Sequence, residues 1–529
     1  MHYQNRKYPF RTPPELKGEG RGIYPVAIIG AGPIGMAMAI DLALHGIRSV
    51  ILDDNNMVSV GSRAICWAKR TLEIFDRLGI GDRMLEKGVT WKIGRLFHGK
   101  EEVYNFDLLP DDAHKMPAFV NLQQYYVEEY LVDRIADFPD LIDLRWLNKV
   151  TDEEITDDGV ALHVETSEGN YWLSADYVLA CDGCKSQIRQ RMGLAFEGQT
   201  FEEHFLITDV EMPEPPFESE TPERWFWFKP PFHSGQSALL HKQPDNIYRI
   251  DLQLGPDTDP TEEAKPEQVI PRVKQIIGDR DFKIDWVSVY SFTCAMLEKF
   301  VHGRIIFVGD SAHVVSPFGA RGGNGGIQDV DNLGWKLAAV LKGDATPALL
   351  DSYDEERRHG ARENIKNSAR ATNFMTPKSK MEAMFRDAVL NLASDLPFAR
   401  RLVNSGRLSL PCSLEGFTLQ SPHTAPRGLA PGTPCPDAPL EDGWLLNQLG
   451  KEFILLTIGA RAKTLAPSGV KSLYFENSPG VVAQYGDDMI YLIRPDQHIA
   501  AAFEAGTDSK AIEGALVRAT GSLALETAI

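Results

Sequence analysis

Three short stretches carry residues able to do chemistry. In "YVLACDGCKSQIR", Cys181 and Cys184 form a C-x-x-C, the spacing of a redox dithiol or of half a zinc site. Residues 26–54 read "VAIIGAGPIGMAMAIDLALHGIRSVILDD", with G-x-G-x-x-G at Gly30, Gly32 and Gly35 and an acid at Asp53. Residues 303–337 read "GRIIFVGDSAHVVSPFGARGGNGGIQDVDNLGWKL" and put Asp310, Ser311 and His313 ahead of a glycine-rich loop. Several chemistries can be set aside at once. A redox dithiol needs its first cysteine exposed at a helix start, whereas Cys181 ends the apolar strand "YVLA". No second ligand pair is spaced for zinc, and no other metal site is expected. Ser311 lacks the G-x-S-x-G elbow of a hydrolase.

The elements around these residues give them a different purpose. A short apolar run ends at Gly30, small residues suit a closely packed helix, and Gly46 stops that helix. A second strand then ends at Asp53-Asp54. Gly30 permits the tight turn, and Gly32 and Pro33 open the helix whose N-terminus attracts a pyrophosphate. Asp53 lies about 18 residues past Gly35, close to the spacing of a ribose-binding acid. This is a dinucleotide site, and by itself it does not separate FAD from NAD. In the third stretch, Gly309-Asp310 closes a buried strand, the loop 319–326 follows, and a helix comes after it. Exposed N–H groups of such a loop can cradle a flavin ring.

The motif "GDSAHVVSPFGARGGNGG" resembles the second flavin motif of the single-component, class A FAD-dependent aromatic hydroxylases, which include para-hydroxybenzoate hydroxylase and phenol hydroxylase. The nearest likeness is to members acting on phenols and on hydroxyphenylpropionate. The resemblance implies FAD contacts for Asp310, Gly322, Gly323 and Asn324, and for Arg63 and Gln124 upstream. It reads "CDGCKSQIR" as a D-G motif: Asp182 and Gly183 meet FAD and incoming NAD(P)H, and Arg189 is its usual arginine. Pro317, Arg249 and Tyr290 fall beside the flavin or the pocket. The implied reaction is hydroxylation of a phenolic ring with NAD(P)H and O2 through a flavin C4a-hydroperoxide. The alternative is an FAD dehydrogenase or oxidase that inserts no oxygen.

The expected architecture is α/β. A Rossmann-like FAD-binding domain (25–200 and 296–375) carries an inserted substrate sheet (85–120 and 201–295), as in para-hydroxybenzoate hydroxylase. A helical linker (376–425) leads to a thioredoxin-like unit (426–529) without a redox dithiol. That unit is expected to be structural or to stabilise a homodimer. "YRIDLQL" alternates, placing Tyr248, Ile250, Leu252 and Leu254 on one face and Arg249, Asp251 and Gln253 on the other. His241, Arg224 and Lys229 are candidates for a substrate carboxylate. The helix over 345–375 is expected to hold its charges on an exposed face. The chain has 529 residues and a net charge of -19, which disfavours nucleic acid and anionic lipid as partners. Six cysteines suggest no disulfide framework, and the longest apolar run is broken by glycines and Asp41. A cytoplasmic location without a membrane span is expected.

Overall fold

The computed structural model describes residues 3, 5–19, 22–61, 63–91, 93–107, 113–217, 221–233, 236–403 and 410–522. Parts of the sheet, linker and C-terminal stretches named above thus lie outside the described residues.

Five parallel strands form the centre of the first sheet, in the order Ile305–Phe307, Gly169–Ala180, Gly22–Ile29, Ser49–Asp53, Ile142–Trp146. They are apolar because both faces are covered. The helix Pro33–Leu44 is buried almost all round between this sheet and the helix Gly322–Lys342. The two helices touch so closely that a Cβ on Gly334 would stand 1.8 Å from Asp41 Oδ2.

Two expectations need correction. The glycines from Gly322 onward are not a loop: they form the first turns of the helix Gly322–Lys342. The reason is packing, since a Cβ on Gly326 would meet Ile34 Cδ1 at 2.6 Å and Gly309 Cα at 3.2 Å. The helix Leu349–Met375 does not keep its charges outside either. Glu356 and Arg357 are buried in it, each held by charged partners from other segments.

The second sheet runs His313–Val314, Lys283–Met296, Glu197–Glu211, Ile247–Leu254, Ser237–Lys242, Glu223–Phe228, Ile93–His98, Glu101–Asp107. All neighbours are antiparallel except Glu223–Phe228 with Ile93–His98. The alternation read from "YRIDLQL" holds. Tyr248, Ile250, Leu252 and Leu254 pack with Val269, Val273 and Ile277 of the helix Pro266–Ile277 on the outer face. Arg249, Asp251 and Gln253 occupy the inner face.

The C-terminal sheet has the order Lys471–Phe475, Ile454–Ile458, Met489–Ile493, Ile499–Glu504. In chain order this is 2-1-3-4 with the third strand antiparallel to its neighbours, as a thioredoxin-like unit requires. It is joined to the rest through buried charge. Arg494 pairs bidentately with Glu356, at 2.7 and 2.9 Å. Arg70 reaches Asp496 O at 2.8 Å and Gln497 Oε1 at 2.9 Å.

Candidate active site

The parallel sheet brings the three motifs to one edge. Gly30, Asp53, Asp182 and Gly309-Asp310 all follow or end strands at their carboxyl ends, the position of ligand crevices in such sheets. Gly30 has φ +108°, and a Cβ there would lie 2.5 Å from Cys181 O. A Cβ on Gly35 would lie 2.0 Å from Gly30 O. By contrast, a Cβ on Gly32 or on Gly183 would meet nothing within 4 Å, so both backbones face open space. Gly32 is the N-cap and Pro33 the first residue of the helix Pro33–Leu44. Asp53 holds this turn: its Oδ2 accepts from Ala31 N at 2.6 Å and its Oδ1 from Asn55 N at 2.8 Å. Burial still raises its carboxyl, against those bonds. Asp54 beside it is exposed.

The D-G turn is built like a cap. Asp182 Oδ2 accepts from Gln187 N at 2.8 Å and Ile188 N at 3.3 Å. Its Oδ1 is buried with no hydrogen-bond partner. Arg189 is committed to backbone carbonyls. Its Nη1 donates to Ser311 O at 3.1 Å and its Nη2 to Cys184 O at 2.6 Å, so it braces the D-G turn against the Gly309–Ser311 turn. Cys181 is buried, which pushes its thiol up, while Cys184 is exposed. That is the wrong way round for a redox pair. The geometry favours the aspartate over the cysteines as the candidate: Asp182→Ala is expected to slow flavin reduction by about tenfold or more, while a Cys181→Ala/Cys184→Ala double variant is expected to keep its turnover. Stopped-flow reduction by NADPH and NADH compares the two.

Asp310 is open to the crevice yet walled in by protein, and this burial raises its carboxyl against His313 and Arg63. His313 is structural: its Nε2 lies 2.7 Å from Asp329 Oδ2, and Arg357 Nε holds Asp329 Oδ1 at 2.6 Å. Arg63 is exposed on a loop fixed by Gln124, whose Oε1 accepts from Ala64 N at 3.1 Å. Asn324 spends its side chain on the chain itself: Oδ1 accepts from Ala68 N and Nδ2 donates to Cys66 O, both at 2.9 Å. The N–H groups of Gly322, Gly323 and Asn324 lie in the first turn of the helix Gly322–Lys342, where a helix has no intrahelical acceptors for them.

The inner face of the second sheet closes the crevice. Its pairing puts Arg224, His241, Arg249, Asp209 and Trp286 in one row across five strands. Arg249 forms a bidentate pair with Asp209, at 2.8 and 2.7 Å, and its Nη1 reaches Arg63 O at 3.4 Å. Asp209 has no motif around it; only strand register reveals it. Beside this row lies an apolar pocket walled by Leu96, Phe106, Phe226, Leu239, Phe318 and Phe374, with Arg224 on its lining. Pro317 is exposed next to Phe318, and Tyr290 is half-buried against the Phe205–Phe292–Phe318 cluster. Lys229 is occupied by Asp387, at 2.5 Å.

These residues fit FAD. Gly32 and Gly183 leave room for a diphosphate, Asp182 Oδ1 is a buried acceptor without a donor, and Asp310 faces the crevice. The model of the FAD binding domain family matches residues 23–368. The chain belongs to this FAD-binding family. Among its relatives, the 3-(3-hydroxy-phenyl)propionate/3-hydroxycinnamic acid hydroxylase of Mycolicibacterium gilvum is 31% identical over 404 residues, covering 76% of this chain and 69% of the relative. A flavin-dependent monooxygenase of Mycobacteroides abscessus is 28% identical over 509 residues, covering 91% and 97%. The solved flavin-dependent monooxygenase PieE, in complex with FAD and substrate, superposes with a TM-score of 0.79 at 21% identity, over 94% of this chain and 99% of that one. Aklavinone-11 hydroxylase with FAD and aklavinone superposes at 0.76 and 20% identity, over 95% and 100%. The two solved structures establish the fold; the family match and the curated relatives make this an FAD-dependent aromatic hydroxylase of the single-component class rather than a flavin dehydrogenase. Among the described residues no helix is long and apolar enough to cross a membrane.

Proposed function

We propose that this hydroxylase adds one oxygen atom from O2 to the ring of a phenol that lies in the pocket beside Phe318, using NAD(P)H as reductant. The observation carrying this reading is the pocket's position. One wall, Phe318 and Gly319, belongs to the segment between Asp310 and the helix Gly322–Lys342; the opposite wall is the inner face of the second sheet. A flat aromatic ring suits walls made of Phe106, Phe226, Phe228 and Phe374.

Bound FAD would supply the redox and oxygen-activating chemistry. Gly30, Gly32, Pro33 and Gly35 would admit its diphosphate, with Asp53 and Asp54 toward the ribose. Asp182, Gly183 and Asp310 would line its middle, and Gly322, Gly323 and Asn324 its ring edge. Arg63 would approach from the loop that Gln124 holds, while Arg189 acts indirectly by bracing the D-G turn. Pro317 and Tyr290 border the place of the reacting ring. Arg249 does not meet the substrate as a free cation; paired with Asp209, it ties the second sheet to the Arg63 loop and positions both. The aromatic walls exclude water from the ring, as oxygen transfer demands.

The test is turnover of 3-(3-hydroxyphenyl)propionate, phenol and 3-hydroxycinnamate under 18O2, read by mass spectrometry. The expected product gains one labelled oxygen atom. Reduced cofactor consumed with peroxide as the only product for every phenol would sink this reading.

A further inference from the structure

Arg224 is a cation without a counter-charge on the wall of the aromatic pocket. The strand Glu223–Phe228 turns Arg224, Phe226 and Phe228 to one face, and all three line the pocket. The direct cross-strand neighbours of Arg224 are Gly94 on one side and His241 on the other, so no acid stands opposite it. Asp251, two strands away, is turned to His241, with Oδ2 3.6 Å from Nε2. Among the described residues the Arg224 guanidinium makes no hydrogen bond or ion pair; its one cation–π partner is the Trp91 ring, 5.7 Å away at the centroid.

The other cations nearby are spent. Arg95 shares the lining, yet it holds Glu223 at 2.7 and 2.9 Å and Glu102 at 2.9 Å. Arg249 is paired with Asp209, and Lys229 with Asp387. His241 is 3% exposed and lies off the lining. Of the three residues that the sequence offers for a substrate carboxylate, only Arg224 borders the pocket.

A half-buried guanidinium among phenylalanines loses part of its hydration and gains no acid in exchange. The Trp91 face attracts it without neutralising it. A guanidinium presents its N–H groups as a fixed fork, which a carboxylate meets with two parallel hydrogen bonds. An alkyl group of the same length offers that fork nothing.

We propose that Arg224 binds a carboxylate carried by the substrate, so that the pocket selects phenols with a short acidic side chain over neutral ones. Arg224 is a specificity-determining residue in this role and takes no part in oxygen transfer. The aromatic walls hold the ring by its faces and leave its rotation open. The ion pair removes that freedom: it anchors the acidic end at the sheet and so decides which ring edge is turned to the opposite wall, Phe318 and Gly319. The inference rests on the phenol reading above.

The test uses FAD-loaded enzyme, oxidised and without NAD(P)H, titrated with 3-(3-hydroxyphenyl)propionate and with 3-propylphenol, which replaces the carboxylate by a methyl group. Occupancy is followed by the change in the flavin spectrum. Arg224→Met is expected to raise the Kd of the acid by roughly 10–100-fold and that of 3-propylphenol by less than about threefold. Arg224→Lys should fall between the wild type and Arg224→Met for the acid, since it keeps the charge and loses the fork. A merely structural arginine would move both ligands together, so equal losses for the two phenols overturn the assignment. An unchanged Kd of the acid in Arg224→Met overturns it as well, and leaves the hydroxylase reading standing. A wild-type flavin spectrum that ignores both phenols overturns that reading, and this proposal with it.

Discussion

Glu356→Ala is expected to destabilise the folded protein by about 3–5 kcal/mol. Glu356 is 1% exposed and accepts from four side chains: Arg494 at 2.7 and 2.9 Å, Lys336 at 2.8 Å, Asn332 at 2.7 Å and Gln420 at 3.2 Å. Removing the carboxylate strands two buried cations, and only Arg494 keeps a second acid, Asp496 at 2.5 Å. Because Arg494 belongs to the C-terminal unit and Glu356 to the helix Leu349–Met375, the loss should separate the C-terminal unit's unfolding from that of the FAD-binding part. Lys336→Met should behave differently. Burial, with repulsion from Arg494, brings the Lys336 ammonium down to about 8 against the attraction of Glu356. A lysine so depressed is destabilising while charged, and the penalty is relieved as pH rises from about 8 to its unfolded value near 10.5. Methionine removes that penalty and leaves Glu356 paired with Arg494, so the change should cost less than about 1 kcal/mol at neutral pH or stabilise slightly. The acid follows the opposite sign. The partners of Glu356 hold its carboxyl below the usual range despite burial, so its contribution is full above the unfolded value near 4.5 and fades as pH falls. Urea unfolding of the wild type and the two variants at pH 5, 7 and 9, followed by tryptophan and flavin fluorescence, checks all three statements. Equal losses for the two variants at pH 7 would contradict them.

Gly30→Ala is expected to weaken FAD binding by roughly 10–100-fold, the effect of about 1–3 kcal/mol of backbone strain. Two causes act together. The residue has φ +108°, which an L side chain rarely adopts, and the new Cβ would lie 2.5 Å from Cys181 O and 2.9 Å from Cys181 C. Neither neighbour is a flexible side-chain end; both are backbone of the strand that leads to Asp182. The strain is relieved only by moving the Gly30 turn away from the D-G turn. That movement displaces the N–H groups at the start of the helix Pro33–Leu44, and binding must then restore them. Gly32→Ala is the control, since its Cβ would meet no protein atom within 4 Å and has no strained φ. It should fold normally and lose affinity only through contact with FAD. Fluorescence titration of the apoproteins with FAD, alongside thermal unfolding, separates the two: Gly30→Ala should lower both affinity and midpoint, Gly32→Ala affinity alone.

The flavin motifs were legible in the sequence because each is local. G-x-G-x-x-G with its following acid, the D-G turn and the G-D turn each follow a strand within a few residues. The strand-to-turn pattern therefore singled out Gly30 and Asp53 as candidates, and the family resemblance added Asp182 and Asp310. Alternation likewise assigned Tyr248 and Arg249 to opposite faces, because a strand has period two whatever surrounds it. The same local logic dismissed Cys181 and Cys184 as a dithiol.

What depended on distant partners was not legible. Helical spacing suggested that Glu356 and Arg357 faced solvent, because charge on a helix normally does; their counter-charges come from Arg494 and Asp329, far along the chain. The glycines after Gly319 looked like a loop by composition, yet they are helical because Ile34 and Gly309 leave no room for side chains there. Asp209 belongs to no motif, and His241 was legible only as one of several candidates for a substrate carboxylate. Their meaning arises from hydrogen-bonded register across five strands, which places them in line with Arg224 and Arg249. Register is set by loop lengths and by packing against the other layer, and a shift of one residue would turn every one of these side chains to the opposite face. The sequence by itself thus determined a dinucleotide site through short-range backbone requirements, and the cofactor and the class of chemistry through the resemblance of its motifs to a known family. The tertiary structure decided which charges are buried and which are neutralised, because burial and pairing are properties of segments brought together.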